Sequence, residues 1–144
     1  MNSKWRPDDS FLTKKDGEQA GARRIREVLL RHGFEPGQIL TSRDKGMEEV
    51  VNELKRANMP PGVEQWQLPV AIAGTFAFRT VAEPDAVIPD HSHRANLFRV
   101  VVSGTAIYRD VELTAGDWML VPKGKSYSLR AAGNPGFSIN HMYW

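Results

Sequence analysis

From residue 65 to the end, the chain alternates short apolar runs with turn signals, and that punctuation constrains the fold more than any other feature. The runs span 66–78, 87–93, 97–102, 105–108, 118–121, 126–130 and 137–144, and are rich in Val, Ile, Phe, Trp and Tyr. Between them stand Glu83-Pro84-Asp85, Ser103-Gly104, Arg109-Asp110, Ala115-Gly116-Asp117, Pro122-Lys123-Gly124 and Gly133-Asn134-Pro135-Gly136. Runs of this length are too short for core helices, and the turn residues reverse the chain after each one. The spacing predicts a mainly β domain of antiparallel strands, either a sandwich or a barrel.

Before Met59-Pro60-Pro61-Gly62 the composition is different and more highly charged. Residues 1–16 are polar without a clear period and are expected to form a loosely fixed tail, with Asp8 and Asp9 as solvated charges. Ala22, Ile25, Val28 and Leu29 then recur at helical spacing over 18–32, and Gly33 follows as a C-cap. A second helix is expected over about 43–58, capped by Thr41 or Ser42, with Met47, Val50, Val51 and Leu54 on one face. The expected organisation is a tail and arm of two helices over 1–62, followed by the β domain over 63–144.

The chain has 144 residues, no cysteine, and 19 basic against 17 acidic residues. Disulfides and thiolate metal sites are thereby excluded, so any metal must use His, carboxylate, Tyr or water. The basic residues are interspersed with acidic ones and do not form the clustered footprint of a nucleic-acid binder. No apolar run reaches the length of a membrane span, and residues 1–10 lack the apolar segment of a signal peptide, so a soluble cytoplasmic protein is expected.

The chemistry centres on Pro89-Asp90-His91-Ser92-His93. On an extended strand, residues i and i+2 share a face, so His91 and His93 can converge on one ion or ligand. Neutral imidazole suits zinc, iron, copper and nickel. A surface or hydrogen-bonded histidine pair is the competing reading of the same dipeptide spacing.

In this context the segment resembles the cupin superfamily. The first cupin motif runs His-x-His, three or four residues, Glu, six residues, Gly; here His91 and His93 precede Leu97 in the Glu position and Gly104 in the Gly position. The second runs Gly, five residues, Pro-x-Gly, two residues, His, three residues, Asn. Gly116, Pro122 and Gly124 match it, Tyr127 stands in the His position and Ala131 in the Asn position. The resemblance covers about 66–144 and implies a cupin-type antiparallel β-barrel, or jelly roll, whose mouth holds a small ligand. It also implies a divalent transition metal (Fe, Zn, Ni or Mn) bound by His91 and His93.

Leu97 and Tyr127 remove two of the four usual ligands. His141, on the last strand, could supply a third imidazole, or could instead be a core histidine satisfied by hydrogen bonding. Tyr127 could ligate, donate a hydrogen bond to a substrate oxygen, or pack as a core aromatic. Alternation places Arg99 on the face of Leu97, where it could read a carboxylate or carbonyl, whereas Arg79, Arg130, Glu112 and Asn140 read mostly as surface positions. The leading expectation is a metal-dependent enzyme acting on a small organic molecule by oxygenase, lyase, isomerase or cyclase chemistry, with Tyr127 and Arg99 as its polar groups. A metal-free binding module is the first alternative. The second is a regulatory protein using its helices, although the 33–40 connection is longer than the turn of a helix-turn-helix. A homodimer is expected, since the resemblance implies pairing through sheet faces.

Overall fold

The computed structural model describes residues 5–35, 38–41, 44–72 and 74–144. It opens with a 3₁₀ turn, Ser10–Leu12, and a two-residue hairpin, β1 (Lys14–Lys15) with β2 (Glu18–Gln19). Two helices follow, α1 (Ala20–Arg31) and α2 (Met47–Glu53). The strands are then β3 (Val63–Ile72), β4 (Thr75–Ala82), β5 (Val87–His91), β6 (Leu97–Gly104), β7 (Ala106–Tyr108), β8 (Val111–Leu113), β9 (Trp118–Val121), β10 (Tyr127–Ala131) and β11 (Phe137–Tyr143).

These nine strands make two antiparallel sheets, one of five in the order β3-β4-β11-β6-β9 and one of four in the order β5-β10-β7-β8. The chain crosses repeatedly between them, as at β4 to β5, β5 to β6 and β9 to β10. The mainly β, antiparallel expectation holds, but the closed barrel does not. Among the described residues no ladder joins the edge strands of one sheet to those of the other, and the sheets meet through side chains. Their inner faces supply Phe76, Phe78, Leu97, Leu129 and Ile139, all essentially without solvent contact.

Two helices precede the sheets, with bounds other than those expected. Glu18 and Gln19 are spent on the hairpin, so α1 starts at Ala20 and lays Ile25 and Val28 into the core. The second helix is shorter than expected because Gly46, in the left-handed region, is its N-cap, while Thr41 instead hydrogen-bonds the Asp44 carboxylate. Ser42 lies outside the described residues. Past Leu54 the backbone becomes extended and bonds to β3, Arg56 N–H donating to the Gln65 carbonyl at 2.8 Å. Both helices pack against β3. The arginines of α1 are taken up within this layer, Arg23 by Glu18 at 3.5 Å and Arg31 by Glu53 at 2.5 Å.

Candidate metal and ligand site between the sheets

Pleating turns alternate residues of β5 inward, and the extended chain beyond it keeps the same alternation. His91 and His93 are therefore buried and Ser92 is exposed. The Gly124 N–H donates to the His93 carbonyl at 3.0 Å and fixes this stretch. The two rings bring their Nε2 atoms 3.1 Å apart.

The opposite ring atoms settle the tautomers. His91 Nδ1 lies 2.7 Å from the Pro89 carbonyl oxygen, which can only accept, so Nδ1 carries the proton. His93 Nδ1 lies 3.2 Å from an Asp9 carboxylate oxygen and is a donor for the same reason. With its proton on Nδ1, the neutral His91 ring turns an Nε2 lone pair toward His93 Nε2. Burial, above all other influences, lowers the His91 pKa to about 4, so this ring is neutral at pH 7. The Tyr143 hydroxyl lies 3.3 Å from His93 Nε2, and burial keeps this phenol protonated.

Tyr127 lies opposite His91 across the β5–β10 ladder and is buried with its phenol pKa raised by desolvation. Arg99 donates from Nη2 to the Tyr127 hydroxyl. The inward Leu97, Arg99 and Val101 confirm the predicted alternation of β6. His141 pairs with Arg99 across β6–β11, but its Nε2 is engaged elsewhere, 2.7 Å from the Thr80 hydroxyl and 3.4 Å from Gln65 Nε2. Its burial and the neighbouring Arg99 hold it neutral. Arg79, Arg130, Glu112 and Asn140 are exposed, as expected.

The N-terminal segment corrects the sequence reading. Residues 5–11 lie across the mouth of the site, where Asp9 is almost fully buried against His93 and the Trp5 ring stands edge-on to His91 at 4.9 Å. Trp5 Nε1 donates to the Asn58 carbonyl at 2.8 Å, Arg94 donates to the Asp9 carbonyl at 3.1 Å, and Arg56 donates to the Asp8 carbonyl. Behind this strap remains a cavity with room for about one water, bounded by His91, His93, Arg99, Arg56, Thr80 and Tyr143. Polar, aperiodic sequence gave no sign that Asp9 belongs here. Tyr143 was within reach of alternation from His141.

A divalent metal fits the two imidazoles. Nitrogens bound to one ion at about 2.0–2.1 Å lie roughly 3.0–3.4 Å apart, and metal-ligating histidines usually give their second N–H to a carbonyl or carboxylate. His91 and His93 satisfy both conditions. Leu97 contributes nothing, and among the described residues no three His, Asp or Glu side chains converge as a ligand group.

No protein-family model and no curated protein matches the chain. Solved structures do. Rhodobacter sphaeroides SigE in complex with the anti-sigma ChrR aligns with a TM-score of 0.56 and 17% identity, over 87% of this chain and 78% of that one. An RmlC-like cupin protein from Ralstonia eutropha JMP134 aligns at 0.51 and 17%, over 59% and 60% of the two chains. The polyketide cyclase RemF from Streptomyces resistomycificus aligns at 0.50 and 13%, over 58% and 66%. With its two antiparallel sheets and these likenesses, the chain has a cupin-like fold.

Proposed function

We propose that this cupin is a metal-dependent enzyme acting on a small organic molecule, with His91 and His93 as the protein ligands of one divalent transition ion. The observation that carries the reading is the 3.1 Å approach of the two Nε2 atoms, each ring oriented by an acceptor on its far nitrogen. An ion held by two imidazoles keeps positions open for substrate and supplies Lewis acidity or oxygen activation there. Pro89 and Asp9 hold the proton on each Nδ1 and so keep both Nε2 atoms available. The Tyr127 oxygen accepts from Arg99 and so orients the guanidinium, and burial keeps that phenol neutral. The enclosing sheets exclude bulk water, which strengthens each of these interactions. That setting suits oxygenase, lyase, isomerase or cyclase chemistry at an oxygen-bearing carbon. We further propose that the enzyme works as a homodimer.

The test is elemental mass spectrometry of untagged protein beside His91→Ala and His93→Ala. Near-stoichiometric Fe, Zn, Ni or Mn, lost in both variants, is the expected result. A His141→Ala variant reports whether a third imidazole contributes. Protein that takes up none of these metals after direct reconstitution overturns the reading in favour of a metal-free binding module.

A further inference from the structure

Arg99 is 4% exposed and forms no ion pair among the described residues, and only its Nη2 has a partner, the Tyr127 hydroxyl. Its Nε and Nη1 are buried without an acceptor. A second orphan stands on the neighbouring strand. Gln65 Nε2, which can only donate, lies 2.9 Å from the Thr80 hydroxyl and 3.4 Å from His141 Nε2, which points to an accepting Nε2 with the His141 proton on Nδ1. His141 Nδ1 is also buried without a partner. Register places Arg99 and His141 opposite one another, so β6 and β11 bring three unmatched N–H donors to one inner surface, with a full positive charge among them.

A buried guanidinium without a counterion is costly, and each buried donor left unmade costs about 1–3 kcal/mol. A fold retains such a group when something else completes it. The missing partner is an acceptor with negative charge, and Arg99 borders the same cavity as His91 and His93. We infer that Arg99, with Tyr127 beside it, is the carboxylate-binding subsite of this cupin and that its substrates are small organic acids. Arg56 also lines the cavity, but it packs on Phe11 and Phe78 and donates to the Asp8 carbonyl, so Arg99 is the guanidinium with unmatched donors there; the cavity as it stands holds little more than a water, so only a small acid suits it, and only once the strap opens. The carboxylate takes the Arg99 donors while the remainder of the molecule extends toward His91 and His93. This assignment deepens the metal-enzyme reading and rests on it for the chemistry, but its binding step needs Arg99 alone. Entry requires the strap of residues 5–11 to shift, because Asp8, Asp9 and Phe11 also border the space.

The experiment is ligand-observed NMR titration of the full chain, chelator-treated and zinc-loaded, with pyruvate, acetate and, as the neutral counterpart, acetamide. Both carboxylates are expected to bind, with acetamide and the Arg99→Gln variant roughly 10- to 100-fold weaker, as suits loss of a charged hydrogen bond. Arg99→Lys should recover part of the loss, and zinc content should be unchanged in both variants. Equal binding of acetate and acetamide, absence of carboxylate binding in both metal states, or undiminished affinity in Arg99→Gln overturns the inference. The acid-to-amide comparison needs no variant and decides the matter even if Arg99→Gln does not fold. Carboxylate binding by a chain that takes up no metal would overturn the metal reading and leave this one standing.

Discussion

Leu97 occupies the position from which a cupin of the usual motif presents its carboxylate, and here it is fully buried on the inward face of β6 that also carries Arg99. The residue sets a trade between core and site. A leucine side chain there contributes about 1.5–3 kcal/mol of burial, whereas an unpaired carboxyl in the same place costs stability. Leu97→Glu should therefore lower the melting temperature of chelator-treated protein, and zinc should restore more stability to the variant than to the unaltered chain, because the ion would gain an anionic ligand. Calorimetry with and without zinc checks this; an identical zinc response in the two proteins would place position 97 out of reach of the metal. At this scale much of the site was legible in the sequence. The inward placement of His91, His93 and Arg99 was legible because strand alternation depends only on local pleating, and that of Tyr127 followed from its place in the second motif. Asp9 was not, since its role depends on a contact with a residue 84 positions away that no local pattern encodes.

Among the elements, the strand periods were easier to read than their breaks. The run 66–78 reads as one strand, yet the chain turns at Gly74, whose φ is +84°, and continues as β4 to Ala82. A lone glycine in an apolar run is a weak signal, and β8, three residues long with two exposed, gives almost none. Glycine roles also separate only in three dimensions. Gly104 and Gly116 both have positive φ, but an added Cβ at Gly104 would lie 2.0 Å from the Gly136 carbonyl oxygen, whereas at Gly116 it would meet nothing within 4 Å. Gly116→Ala should cost about 1–2 kcal/mol for the left-handed backbone alone. Gly104→Ala, which also forces β6 away from the β11 end, should cost clearly more. Urea unfolding of the two variants measures the difference, and equal losses would show that the β6–β11 junction gives way freely.

Across the whole molecule, the outer surface of the five-stranded sheet departs from the pattern of polar residues outside. Trp118 is 62% exposed and Leu120 51%, and register sets them beside Val100 and Phe98, with Met142 on the far side of Phe98. The sequence reading expected apolar strands but could not say which face each one buries, because these residues would serve a core equally well. A contiguous apolar strip on a sheet face is how antiparallel sheets associate, and β9 brings it to the sheet edge. If the strip joins two copies, light scattering should give twice the 16.2 kDa of one chain, and Trp118→Lys should weaken association roughly 10- to 100-fold, as for a central aromatic anchor. A monomeric unaltered chain at tens of micromolar, a range where a specific interface is populated, would exclude this face as a self-association surface. Because Trp118 points away from the space that holds His91, His93 and Arg99, the separated variant should keep its metal content and its carboxylate binding. Loss of either along with the dimer would mean that pairing of the outer faces also sets the packing between the sheets.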